Sequence, residues 1–357
     1  MLYREAGQFK TSYQSDQSVF PILQDRIGIV LIIVLAYALV FARNDFFLNA
    51  MMIPFLIFAL AAIGLNILTG YTGQLSLGTG AFMGVGAYAC YKLTTIFPGV
   101  NVLVWIIASG FVSAFVGVIF GLPSLRIKGF YLTVATLSAQ FFLEWCFTRI
   151  AWLYNYNNSA AIEVPQRELF GIVITGPRAT AETRYLIVLT IVIVMTWLAS
   201  NLVRGRIGRM WMAVRDMDIA AELMGIRLLP TKLLAFAVSS FYCGVAGAML
   251  VFLWYGSAEA EVFNINQSFF ILFMVIIGGL GSLLGSFLGA ALIFMLPIIL
   301  RLAPPLIGIP VHAATVEHVT FMIVGGLIVF FLIVEPHGLA RLWQIGKQKL
   351  RVWPFPY

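Results

Sequence analysis

Ten apolar runs alternate with polar connections along the chain, at roughly 27–43, 46–69, 75–97, 100–122, 129–149, 185–203, 232–255, 262–280, 283–300 and 319–335. Each approaches or exceeds the ~20 residues a helix needs to cross a hydrocarbon core about 30 Å thick. The pattern predicts an all-α, polytopic integral membrane protein with about eight to ten transmembrane helices. The third run and the eighth-to-ninth region are equally compatible with half-helices or re-entrant segments. The transmembrane body expected from this pattern spans 27–343, between a polar N-terminal segment, 1–26, and a basic C-terminal tail, 344–357. The first run reads as a retained anchor rather than a signal peptide, because its polar leader is long and further spans follow.

The longest polar stretch between two spans is Arg204–Leu229. At about 100° per residue, Met210, Ala213, Val214, Met217, Ala220, Ala221 and Met224 share one arc. Arg215, Asp218 and Glu222 lie on another, beside Trp211. Gly225 stands where a C-cap glycine would, and Pro230 would block continuation. The stretch predicts one amphipathic helix along a membrane surface. It serves either as a loop resting on headgroups or as a docking surface for a partner.

Composition agrees with the pattern: 61% of residues are hydrophobic, 10% are charged, and the mean hydropathy is +0.97. No soluble domain hides that much apolar surface. The net charge of +7 is topology information rather than a nucleic-acid footprint. With a cytoplasmic N-terminus and ten crossings, most Lys and Arg fall inside: Arg4, Lys10 and Arg26; Arg126 and Lys128; the 204–232 cluster; and Arg341, Lys347, Lys349 and Arg351. By the positive-inside bias, both termini and Arg204–Leu229 are cytoplasmic. Loop 150–184, with its run Tyr154-Asn155-Tyr156-Asn157-Asn158, and the loop carrying Glu259 and Glu261 are then external. They are either solvated loops or a landing surface for a soluble binding protein.

Candidate chemistry is sparse. There is no G-x-x-x-x-G-K-[ST] phosphate loop, and His312, His318 and His337 lack metal-ligand spacing. Cys90, Cys146 and Cys243 sit inside apolar runs as small core residues. No Ser/His/Asp arrangement stands out, so no enzyme is expected. Ion-coupled carriers place ionisable groups within the membrane. Here only Glu144 lies well inside a run, where it serves as a proton site or as a structural partner of Arg149. Lys92, Arg149 and Glu335 lie near run ends, within snorkelling reach.

Two glycine-rich stretches remain. The first runs from Gly64 through Asn66, Gly70, Gly73, Gln74, Ser76, Gly78 and Gly80 to Gly84, Gly86 and Tyr88. The second runs through Gly278, Gly281, Gly285 and Gly289. Small residues allow close helix packing, and an interrupted helix can offer backbone groups to a polar solute.

The first stretch resembles the signature GLN-x-x-x-GY-x-GQLSLG-x-x-AF-x-G-x-GAY of LivM-type permease subunits of branched-chain amino acid ABC importers, matching it almost throughout. The second stretch, the segment around Gly208-Arg209 and Ala220-Ala221-Glu222-Leu223-Met224-Gly225, and the ending Glu335-Pro336-His337-Gly338-Leu339 resemble the family too. The resemblance implies an inner-membrane importer of two permease subunits, two cytoplasmic ATPases that bind the ATP, and an external solute-binding protein. This chain then carries no cofactor. Gly208, Arg209, Arg215, Asp218, Ala220, Ala221, Glu222 and Gly225 would form the coupling helix, and Asn66, Gly70, Gly73, Gln74, Ser76, Gly78, Gly80, Gly278, Gly281 and Gly285 would line the path. Phe130 and the 154–158 run depart from the family pattern, and a related permease type serves urea or short amides. The alternatives from other classes are an ion-coupled secondary transporter and a non-transporting receptor or scaffold.

Overall fold

The computed structural model describes residues 11–13, 23–42, 45–124, 131–157, 159–169, 171–176, 178–306, 313–335 and 337–352. Expectations placed on Arg4, Lys10, Arg126, Lys128, Phe130, Asn158, His312 and Pro336 lie outside them.

Helices occupy all ten apolar runs. They are α1 (Leu23–Ala38), α2 (Ile53–Thr72, entered through a π-turn at Phe47–Met52), α3 (Thr79–Ile96), α4 (Val102–Ser124), α5 (Tyr131–Arg149) and α6 (Ala181–Arg204). After the polar stretch come α9 (Leu228–Met249, extended by a π-turn to Tyr255), α10 (Ile265–Gly278), α11 (Leu283–Leu306) and α12 (Ala313–Val334). Among the described residues, six are long and apolar enough to cross a membrane: those at 47–72, 102–123, 181–204, 228–255, 260–278 and 283–301. The chain is an all-α, multi-pass membrane protein.

α2 and α9 form its centre; each is 83% buried over its most apolar window, against 33% for α4 and α6. Lipid tails are as apolar as leucine, so helices in a bilayer associate through close packing rather than the hydrophobic effect. Glycine supplies the closeness. A Cβ at Gly64 would stand 2.7 Å from Tyr242 Cβ, and one at Gly86 2.0 Å from the Gly244 carbonyl. Buried tyrosines add polar ties: Tyr242 donates to Met195 O (2.8 Å) and Tyr185 to Ala36 O (2.8 Å).

Four departures from the pattern are informative. The predicted surface helix is two helices, α7 (Arg206–Asp216) and α8 (Asp218–Leu223), broken where Met217 turns extended (φ −160°, ψ 99°). The third run begins as non-helical backbone, since the first glycine stretch leaves α2 at Gly73 and becomes helical again only at Thr79. The outer loop also carries structure. β1 (Ile162–Glu163) pairs with β4 (Ser257–Ala258), joining the two loops, and β2 (Arg167–Leu169) pairs with β3 (Ile172–Thr175). Finally, residues 344–352, the described part of the C-terminal tail, belong to a helix that begins before the boundary drawn at 344, α13 (Gly338–Val352). Its apolar positions recur with helical rather than spanning periodicity.

Two charged residues behave differently from their sequence reading. Lys92 is 8% exposed, with its Nζ 4.2 Å above the Trp152 ring and bonded to Asn155 Oδ1, so the outer loop holds it instead of water. Among the described residues no ion pair joins Glu144 to Arg149. A separation of five positions sets them about 140° apart on the helix.

Candidate functional site

On the side of the molecule that carries α7 and α8, the end of α2 meets the turn between α10 and α11. Asn66 is fully buried. Its amide nitrogen donates to Ser282 O and Ser286 Oγ, both at 2.9 Å, with Gly279 O at 3.4 Å. Its Oδ1 accepts the Gly281 N–H at 2.8 Å. One side chain thus satisfies a turn that has left helical bonding, where Gly279 (φ 119°) and Gly281 (φ 75°) adopt backbone that L side chains resist. A Cβ at Gly70 would fall 2.0 Å from Asn66 Oδ1 and 2.2 Å from Gly281 N, so only glycine allows the approach. Behind the turn, α10 and α11 cross on glycines; a Cβ at Gly278 would sit 2.1 Å from Gly285 O.

α7 reaches this knot directly. Arg215 Nη1 donates to the Gly70 carbonyl at 3.0 Å, while its other nitrogens engage Asp216 Oδ1 at 2.9 and 2.8 Å. The aliphatic part of Arg215 lies against Gly73, whose Cβ would be 3.1 Å from Arg215 Cγ. The Gly70 carbonyl belongs to the last turn of α2, where helices leave orphan acceptors. The guanidinium is therefore a cap as well as a link.

The rest of the polar stretch divides by helix. In α7, Gly208, Trp211 and Val214 are buried, and Trp211 Nε1 donates to Thr231 O at 3.1 Å. The sequence wheel set Trp211 on the charged arc. The structure puts it at the centre of the buried stripe, because α7 packs on α6, α9 and α2 and its phase is lost at Met217. In α8 only Ala221 is buried. Met217, Ile219, Leu223 and Met224 are exposed at 65, 61, 85 and 71%. Arg209 and Glu222 are also exposed, Ala220 is half-buried, and Asp218 faces Lys232 at 3.8 Å. Gly225 (φ 86°) closes α8, with its N–H on Glu222 O (2.9 Å) and the Ile226 N–H on Ala221 O (3.0 Å), a Schellman end.

The first glycine stretch continues to a second polar knot, at the start of α3. Gly80 N–H donates to Ser268 Oγ and Ala81 N–H to Gln140 Oε1, both at 2.8 Å. Gln140 Nε2 in turn donates to Phe263 O at 2.6 Å. Leu77 N–H donates to Thr136 Oγ1 (3.0 Å), and Thr133 Oγ1 donates to Leu75 O (3.2 Å). Gly78 caps α3 against Thr136, and Ser76 Oγ accepts the Gly78 N–H at 3.4 Å. Gln74 is 8% exposed, and neither atom of its amide has a partner among the described residues. α10 starts at the same knot. Its N-terminus meets that of α3 inside the protein.

Sequence reasoning missed Thr133, Thr136, Gln140 and Ser268. The signal was present for three of them: positions i, i+3 and i+7 put Thr133, Thr136 and Gln140 on one face of an otherwise apolar run.

A bundle built on interrupted helices, with a helical excursion gripping the end of its central span, is the architecture of a transport permease. The family described as the branched-chain amino acid transport system / permease component matches residues 47–334, and the chain belongs to it. Among similar curated proteins, the high-affinity branched-chain amino acid transport system permease protein LivM of Salmonella typhimurium is 27% identical over 88% of this chain and 74% of its own length. The LivM protein of Escherichia coli is 26% identical over 80% of this chain and 68% of its own. No solved structure matches.

Proposed function

We propose that this chain is one of two permease subunits of an ABC importer for branched-chain or similar small amino acids. It sits in the inner membrane of a prokaryote, with both termini and α7–α8 cytoplasmic. Two ATPase subunits bind and hydrolyse the ATP, and an external solute-binding protein delivers the solute; the chain itself takes no cofactor and catalyses no reaction. The lipid bilayer is its surrounding partner, and nucleic acid has no part in its work. Its permease body, 27–343, lies between end segments on the cytoplasmic side.

The observation that carries this reading is the Arg215–Gly70 bond. α8 presents Ile219, Glu222, Leu223 and Met224 outward, while α7, its root, holds the end of the central span α2. Movement imposed on α8 by a closing ATPase dimer has a polar link, Arg215 to Gly70, into the Asn66 knot. Rearrangement there alters how α2, α10 and α11 meet, which is what alternating access requires. Gln74, Ser76, Gly78 and Gly80 line the solute side of the interrupted α2–α3 connection. On the opposite side, Trp152 and Tyr156, exposed at 52 and 72%, offer aromatic contact area of the kind enriched at protein interfaces.

The test is uptake by the reconstituted complex. Leucine, isoleucine or valine should accumulate only with ATP and binding protein, unaffected by Glu144→Gln. Uptake driven by a proton or sodium gradient in this chain alone, and lost in Glu144→Gln, would instead make it a secondary carrier. Preferential uptake of urea or a short amide would reassign the solute. Cysteines introduced at Asp218 and Lys349 should label only after permeation, and one at Asn157 from outside.

A further inference from the structure

α13 is not part of the spanning bundle, and its composition points to a specific surface. On a helical wheel Leu339, Leu342, Trp343, Ile345, Gly346 and Leu350 share one half. Leu342, Trp343 and Leu350 are exposed at 45, 59 and 62%. The other half carries Arg341, Gln344, Lys347, Gln348 and Arg351, and the helix holds no acidic residue. Lys349 falls within the apolar half, between Ile345 and Leu342, where a long stem can run along apolar surface with its ammonium beyond it.

The position of the helix is set by contacts. α12 ends at Val334, and α13 starts four residues later at Gly338. A Cβ at Gly338 would stand 2.7 Å from Gly279 N, so α13 begins against the α10–α11 turn. Arg341 closes the corner on Glu335 at 3.3 Å, and Lys347 bonds Asp25 at the start of α1 at 2.8 Å. The helix is therefore pinned beside the ends of α1, α10 and α12, on the side that carries α7, with an apolar face that the described residues leave uncovered.

We propose that α13 lies in the membrane–water interface and binds anionic phospholipid of the leaflet on the α7 side. Its apolar half enters the headgroup–acyl boundary, with Trp343 at the depth aromatic side chains favour. Lys349 meets lipid phosphate, since basic residues near an anionic surface are attracted to it. Charge complementarity and continuity with the span α12 select lipid over a protein occupant. The inference does not depend on the transport reading.

The test is backbone hydrogen exchange of residues 338–352 in the full chain, held in nanodiscs of phosphatidylcholine with and without phosphatidylglycerol. Phosphatidylglycerol should slow exchange across the helix at least severalfold. Lys349→Glu, which leaves the Gly338, Arg341 and Lys347 contacts intact, should remove most of that slowing. Trp343→Glu should raise exchange in both lipids, and inorganic phosphate should not substitute for phosphatidylglycerol. Equal exchange in the two lipids, insensitivity to Lys349→Glu, or protection that appears only with the ATPase partner would overturn the proposal.

Discussion

α7 and α8 are neighbours in one polar stretch, yet they bury opposite shares of themselves. α7 commits Gly208, Trp211 and Val214 to the bundle, whereas α8 commits only Ala221 and, with the flanking Met217 and Met224, leaves four large apolar side chains in the open. The break at Met217 separates a root, stabilised by packing, from an edge whose apolar surface lacks a partner among the described residues. Exposed apolar clusters of this kind mark interaction sites. One amphipathic sequence pattern thus serves both anchoring and presentation, divided by one residue of extended backbone at Met217.

The largest effect should come from the root. Trp211→Ala removes a fully buried indole and its bond to the Thr231 carbonyl, at a cost of about 3–5 kcal/mol. Thermal unfolding in detergent should show a clear drop in melting temperature, and a melt indistinguishable from wild type would deny α7 its anchoring role. At the edge, Glu222→Lys or Leu223→Asp should leave the melt unchanged but weaken ATPase co-purification, since breaking a desolvated charge contact costs about 2–5 kcal/mol. Normal ATPase retention together with wild-type uptake in both variants would return α8 to a loop resting on headgroups.

Arg215→Ala tests the link between the two. It removes a charge-assisted bond to Gly70 O of about 1.5–3 kcal/mol. The expected result is roughly a tenfold fall in uptake with ATPase binding retained, and Arg215→Lys should restore part of it. Measuring ATP hydrolysis and uptake on the same vesicles separates this from lost docking. The smallest effect is assigned to Asp218→Asn, whose half-exposed pair with Lys232 at 3.8 Å is worth at most about 1 kcal/mol. A large change in stability or uptake there would mean that Asp218 has a partner outside this chain.

The sequence by itself determined a good deal. Ten apolar runs became ten helices because each backbone in lipid must satisfy its own hydrogen bonds. Asn66 and the glycines around it stood out as motif, and Gly225 as a helix end, because both depend on local backbone conformation that residue type sets. Tertiary structure decided the rest. Nothing local in Arg204–Leu229 distinguishes a face that meets α6 and α9 from one that meets water, so Trp211 looked like part of the charged edge. The pairing of Ile162 with Ala258 joins segments far apart in the chain, and no periodicity within either one encodes it. Nor does Asn66 show that its partners are Gly281, Ser282 and Ser286. A side-chain amide advertises donors and an acceptor, but which carbonyls it reaches depends on how two distant helices cross, and here glycines decide that crossing by letting backbones approach where any side chain would keep them apart.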